Sequence, residues 1–528
     1  MTSLRPGAHV ARGATYLFVQ GFLASLIGIV YIMVVTRTLS DTDMGIYAIL
    51  SLILSIVQVF GSFALAPAAV KYIAQYIAEG KPEKAKSIVS RVLEISLIAS
   101  LIGFFTILIS ASSLSLYFFG SQTQVPLFHA LAIASILNLL YLQVTSFIQG
   151  LQRFLELAIV GLTYTVLQNV IGIYLISIGF GLWGIVLGWI SGFLLSVSLA
   201  LAYTGKFLGI SKNFYPLRPL IKFSYPLYLS NILTFLMSWI DQILLLFLLG
   251  TSLGLDEAKR ILGLYYIAIR ASIVPNLIAS SMLTALFPKL SELHAKSGPS
   301  RLTDAFRTST RYAAIIGFPM IIGLATLAYP ILILFAGWDF HDAALPLTIL
   351  CLSMLLPTLG AAISPILLTQ ERIKVASLIS VASIVSEVVI SCILIIPLGM
   401  SGAAWSRIVS SFVYFVLGIY VLRRSLGISF DNEALWKSSV SAVLMVFAII
   451  FLDVLRQYAT YGAIFFNQFL LFPLRFLPVY VIVGAFAYFL FLTVLRTIKK
   501  HDIDMLRDYL PKRLKWIATL LSWIAHIK

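Results

Sequence analysis

Four ionisable side chains stand inside long apolar runs of this sequence: Asp241, Arg270, Glu387 and Arg407. On insertion scales a charged residue at the centre of a bilayer costs about 2.5–3.5 kcal/mol, so each needs a partner or a use. Asp241 lies about eight residues and Arg270 about ten residues from the outer ends of their runs, a shared depth of about 12–15 Å at 1.5 Å per residue. Glu387 and Arg407 lie about ten and about seven residues below the same surface. Two acid–base pairs at matched depth in neighbouring helices are therefore expected. Two readings of them stay open. In one, each pair fixes helix register. In the other, Arg270, and after it Arg407, faces a central cavity and binds an anionic head group, because a guanidinium fork gives phosphate two parallel hydrogen bonds.

Other chemistry finds little support. The six histidines (His9, His129, His294, His341, His501 and His526) are scattered, so no metal site is expected. A phosphate-cradling glycine loop and a His–Glu metal helix are both missing, and neither enzymatic activity nor a cofactor is expected. Cys351 and Cys392 fall inside apolar runs and read as packing residues.

The elements that must hold these charges are membrane spans. The chain is 60% hydrophobic and 11% charged, against about 25% charged in soluble chains, too little to cover a water-soluble globule. Breaking the apolar runs at glycine, proline and charged clusters gives spans at 14–36, 44–66, 88–118, 125–149, 155–179 and 182–205. Six more follow at 221–249, 260–287, 310–336, 343–369, 374–397 and 400–422, and two at 436–456 and 470–496. Runs such as Leu97 to Ile109 lack the alternation of a β-barrel. The fold class expected is an all-α integral membrane protein with about fourteen transmembrane helices, since only helices and closed barrels satisfy their backbone in lipid. The first run continues without a cleavage site and reads as a retained span.

Lysine and arginine orient the spans. With the N-terminus inside, inside segments hold 30 of the 37 basic residues and outside segments four: Arg37, Lys259, Arg260 and Arg456. Arg270, Arg407 and Arg475 fall within or beside spans. Both termini are thus expected in the cytoplasm of a multi-pass plasma-membrane protein. The basic residues are dispersed among spans, which suits membrane anchoring and not nucleic acid. Leu506, Leu510, Leu514, Ile517, Leu521 and Ile524 recur at three- and four-residue steps with basic residues between them, predicting an interfacial helix over 502–525 held by anionic lipid.

The sequence also matches itself at an offset of 218. Gly45-Ile46-Tyr47 falls on Gly263-Leu264-Tyr265, Lys71 on Lys289, Gly80 on Gly298, Gln152 on Gln370, and Gly181 and Gly184 on Gly399 and Gly402. Six spans of offset preserve orientation, so two six-helix lobes in parallel repeat are expected, an arrangement common in transporters. The domains predicted are a lobe at 1–206, a lobe at 207–425, a helix pair at 426–500 and the interfacial helix at 501–528. The same shift puts Asn169 on Glu387 and Trp189 on Arg407, while Asp241 and Arg270 meet leucines. Where the second lobe has charges the first has amides, among them Gln58, Asn138, Gln143, Gln149, Gln168 and Asn169, which either line a sugar-accommodating cavity or bond between helices. Pro67, Pro226, Pro275, Pro319, Pro357 and Pro365 interrupt or flank spans and mark bending points.

Several short motifs resemble the polysaccharide transporter family. They are Arg37-Thr38-Leu39-Ser40 through Gly45-Ile46-Tyr47, Ala68-Ala69-Val70-Lys71-Tyr72-Ile73-Ala74 with Gly80-Lys81, and Ser224, Pro226 and Leu227 with Asp241. The resemblance implies a flippase for a polyprenyl- or dolichyl-phosphate-linked oligosaccharide, working by alternating access as a monomer. Glycosyltransferases or a polymerase of the same pathway are candidate partners. Competing readings are a cation-coupled multidrug antiporter, a lipid II-type flippase and a non-transporting scaffold. The lipid II branch tends to carry arginines in its first two spans, whereas here Arg37 stands at the edge of the first.

Overall fold

A computed structural model describes residues 6–207, 215–273, 300–370, 372–461 and 472–497. Every regular element among them is helical. Twelve helical stretches, the interrupted Trp338–Leu367 among them, are long and apolar enough to cross a membrane, and thirteen if the pair Phe306–Thr326 and Ala328–Ala336, bent by 78°, is one span. The predicted fourteen are not reached among the described residues. The predicted span 260–287 runs beyond them, and the interfacial helix at 501–528 lies outside them altogether.

The chain forms two compact units, Met1–Tyr266 with Phe335–Asp339, and Ile267–Leu334 with Phe340–Lys528. The first contains α1 (Pro6–Thr38), α2 (Asp41–Ser62), α3 (Leu65–Ala78), α4 (Pro82–Phe119), α5 (Val125–Gly150), α6 (Phe154–Leu175), α7 (Leu182–Thr204) and α8 (Leu217–Ser252). Most of α9 (Leu255–Ser272) also belongs to it, and the last six residues of that helix belong to the second unit. The second unit contains α10 (Ser300–Thr326) and most of α11 (Ala328–Ala336). It continues through α12 (Ala344–Ser353), α13 (Leu355–Leu359), α14 (Ile363–Thr369), α15 (Ile373–Leu398), α16 (Met400–Leu426), α17 (Asn432–Tyr461) and α18 (Leu477–Val494). The run 343–369 is not one helix. Pro357 and Pro365 offer no N–H to the carbonyls four residues back, and the helix breaks at Met354 and again at 360–362.

Burial is the reverse of that in a soluble helix. On α15, Leu378, Val381, Val385, Val389, Ile393 and Ile396 are exposed, while Ser383, Glu387 and Ser391 are buried at four-residue steps. Lipid accepts the apolar stripe and the neighbouring helix takes the polar one.

The 218-residue repeat has a backbone counterpart. Gly181 and Gly399 each start a helix, at φ 53°, ψ −130° and φ 55°, ψ −132° respectively. In both turns the N–H three residues on donates to the glycine carbonyl at 3.0 Å. Only glycine adopts such a conformation cheaply. A second correspondence lies where α2 meets α9. A Cβ on Gly45 would overlap the carbonyl oxygen of Lys259, and one on Gly263 would overlap that of Asp41. Because 41 and 259 are themselves 218 apart, the contact is reciprocal: each helix presents its glycine to the equivalent carbonyl of the other. Ser40 and Asp43 cap α2 beside it in a capping box, and Lys259 is buried, donating to the Phe118 carbonyl at the end of α4 at 2.6 Å. Lys259 is thus a cap for a helix end and not a surface charge of the outer loop.

In the second unit Arg311 is buried as well. Its guanidinium donates to Asp431 Oδ2 at 2.8 Å and to the Thr497 carbonyl at 2.7 Å, joining α10 to the segments before α17 and after α18. Asp431 Oδ1 in turn accepts the Ala434 N–H at the start of α17. Arg311→Met should strand Asp431 and lower stability by about 3–5 kcal/mol, read as thermal unfolding in detergent, whereas Arg307→Gln, an exposed site on the same helix, should not. Gly181→Ala and Gly399→Ala should each destabilise by about 1–3 kcal/mol, the strain of that backbone region, in the same assay; an unchanged midpoint for either would contradict the assigned conformation.

Candidate functional site

Hydroxyls four residues apart build the second unit's polar seam. Ser383, Glu387 and Ser391 lie on one face of α15, and Ser406 and Ser410 on one face of α16. Ser410 Oγ donates to Glu387 Oε2 at 2.9 Å, and Ser383 Oγ donates to the Ser410 carbonyl at 2.9 Å. Nearer the α15–α16 turn, Ser391 donates to Ser406 at 2.8 Å. Glu387 is buried, and Arg407 Nε stands 3.9 Å from its Oε1. The structure thus brings Glu387 and Arg407 together as a loose ion pair inside a serine ladder. Short side chains let the two helices approach and satisfy each other's polar groups, which lipid cannot do.

In the first unit Asp241 is completely buried on α8. The Tyr265 hydroxyl of α9 donates to its Oδ2 at 2.5 Å and the Gln242 N–H to its Oδ1 at 2.9 Å. Tyr265 is a partner that reading for opposite charge overlooks. Its signal in the sequence is a phenol near the start of the span that follows Asp241. Arg270 is exposed in the last turn of α9 and belongs to the second unit. Asn169 on α6 is buried, as are Asn138 and Gln143 on α5, while Gln149 is exposed. On the same helices and α7, Phe193 stacks on Tyr164 at 4.7 Å and Tyr141 lies tilted against both at 4.9 and 5.7 Å, while Tyr47 packs on Trp189 at 5.8 Å. The described interior of this unit is aromatic and amide-rich, and the position equivalent to Arg407 is Trp189.

A further buried carboxylate, Asp453 on α17, has no place among the four charges singled out from the sequence. It accepts from Tyr480 at 2.5 Å, Gln457 at 2.9 Å and Arg456 Nε at 2.8 Å. Arg456 therefore belongs to a buried network of the last helix pair and not to an outer loop. The spacing of Asp453, Arg456 and Gln457 at three and four residues is the local signal for it. Among the described residues no group of three or more histidine, cysteine, aspartate and glutamate side chains is placed to hold a metal ion. Arg407→Gln should cost about 3 kcal/mol by leaving Glu387 buried without its cation. Adding Glu387→Gln should recover most of that loss, as read by denaturant unfolding of both variants.

Residues 34–345 match the family model described as polysaccharide biosynthesis protein. A probable low-salt glycan biosynthesis flippase, Agl15 of Haloferax volcanii, is 22% identical over 436 residues, covering 83% of this chain and 88% of that protein. Among solved structures, lipid II flippase MurJ in an inward closed conformation superimposes with a TM-score of 0.67 at 17% identity, covering 90% of this chain and 98% of that one. An inward-facing multidrug resistance transporter of the MATE family gives 0.59 at 14% identity, covering 76% and 94%. The fold is the one that MurJ and the MATE transporters share, and with more than half of its length matched by that one model the chain belongs to the polysaccharide biosynthesis protein family.

Proposed function

We propose that this protein moves a polyprenyl- or dolichyl-phosphate-linked oligosaccharide from the cytoplasmic to the outer leaflet, by exposing one head-group site alternately to the two sides. The observation that carries this reading is the family match across residues 34–345. The glycan biosynthesis flippase named for the Haloferax relative agrees with it. The excess of basic residues in alternate loops supports cytoplasmic termini in a plasma membrane. In this reading the six-span repeat supplies two lobes, 1–206 and 207–425, with helices 426–500 added. The protein acts as a monomer beside glycosyltransferases or the polymerase of the same pathway.

Arg270 binds the diphosphate, with Arg407 as a second candidate, and Asp241 and Glu387 hold register or release those arginines. Asn169 and the neighbouring amides meet sugar hydroxyls. A membrane potential, inside negative, favours outward movement of the head group by about 2.3 kcal/mol per negative charge for each 100 mV. Cation antiport requires a carboxylate that a cation can reach. Asp241 lies buried under the Tyr265 hydroxyl and Glu387 under that of Ser410, which favours the glycan reading.

Vesicles holding the purified protein and a polyprenyl-diphosphate oligosaccharide with a fluorescent sugar test this directly. The protein should render the fluorophore accessible to a membrane-impermeant quencher from the opposite leaflet. Arg270→Ala should slow that transfer about tenfold or more, the effect of removing a charge-assisted phosphate contact. No transfer by the wild type would reject the function, and unchanged transfer by the variant at equal reconstitution would reject the role of Arg270.

A further inference from the structure

The N-terminal turn of α8 places charge against the ordinary preferences of a helix. It begins after Pro216 with no side-chain cap and no acidic residue in its first turn. Arg218 stands in that turn, and Lys222 lies four residues on, along the same face; both are exposed. A cation at the positive end of the helix dipole is unfavourable, and so are like charges at i,i+4.

A third cation is brought to the same place from α3. Lys71 Nζ lies 4.2 Å from the ring centroid of Phe223 and 5.4 Å from that of Tyr72. Tyr72 packs on Phe223 at 5.9 Å, and its hydroxyl donates to the Pro219 carbonyl at 3.4 Å. The aromatic wall continues through Tyr215 to Tyr76, whose hydroxyls lie 3.2 Å apart. Burial, and after it the Tyr76 hydroxyl, raises the pKa of Tyr215, which keeps that hydroxyl uncharged. Ser224, next to Phe223, is buried and its hydroxyl makes no hydrogen bond among the described residues.

The acids at this end of the first unit are taken elsewhere. Glu79 pairs with Lys81, Glu83 with Lys86, Glu94 with Arg91 and Glu156 with Arg153. Lys71, Arg218 and Lys222 form no ion pair among the described residues.

We infer that Lys71, Arg218 and Lys222, with Tyr72 and Phe223 as a wall, form a site for the phosphate head group of an anionic lipid in the inner leaflet. The assignment of that leaflet rests on the orientation proposed above; the surplus of cations does not. An anion here lowers the repulsion among three positive groups and satisfies the open N–H groups of the α8 terminus. Aromatic rings beside the cations suit the membrane interface, where one edge meets head groups and the other hydrocarbon.

The test counts phosphatidylglycerol retained by the full chain, released from phosphatidylcholine–phosphatidylglycerol nanodiscs into native mass spectrometry. Wild type should keep bound phosphatidylglycerol. Lys71→Gln and the Arg218→Gln/Lys222→Gln pair should lower retention by about fivefold for each cation removed, the weight of a basic residue beside an anionic surface. Phe223→Leu, which unseats Lys71, should lower it as well, whereas Lys86→Gln, whose lysine is paired with Glu83, should not. Equal retention by the double variant and by Lys71→Gln would overturn the site. An equal loss with Lys86→Gln would reduce it to general surface charge, and displacement of the lipid by inorganic diphosphate would make it a site for free phosphate. Nanodiscs expose both faces and need no transport, so failure of glycan flipping leaves this result readable by itself.

Discussion

Hydrocarbon supplies no hydrogen-bond partner, and the interior of this protein follows from that. The rule selects helices, and it also decides where the charges go. Asp241 is met by a tyrosine, Glu387 by a serine and an arginine, Asp453 by a tyrosine, a glutamine and an arginine, and Asp431 by Arg311. Each of these named donors lies in the same unit as its acid. Conversely, the apolar stripe of α15 points outward, because lipid is as good a neighbour for Ile393 as another helix.

With no hydrophobic gain from one helix touching another, association depends on close approach and on polar contacts between helices. The two units show both means. In the first, α2 and α9 close on glycine, so that backbone rests on backbone at Gly45 and Gly263. In the second, serines along α15 and α16 bond across the interface around Glu387. Where the chain must bend, proline at 357 and 365 and glycine at 181 and 399 do it by covalent necessity, either a missing N–H or a missing Cβ.

Spans and repeat were legible in the sequence because apolar length and a fixed offset are one-dimensional properties. Matched depth was legible too, which is why Glu387 and Arg407 could be paired before their contact was seen. Partners without charge were not: Tyr265 and Ser410 have no label that marks them as carboxylate donors, and they become so only when helices pack. The same holds for Lys259, Arg311 and Arg456, which the charge count treats as loop cations. A net charge says nothing of whether a long side chain turns back to a helix end or to a buried acid. The break at Met354 falls short of Pro357 for a physical reason as well, since a proline disturbs the turn that precedes it.

The reciprocal contact of α2 and α9 also has the form of a symmetric interface. When residue 45 meets 259 and residue 263 meets 41, the two partners use the same patch of surface, as the two subunits of a symmetric dimer do. A side chain at either glycine would have to push the other helix's backbone away, and in doing so would open the second contact as well. The two positions are therefore constrained together: the separation of the helices is set by the smaller clearance of the two, and neither glycine can be exchanged without cost to both.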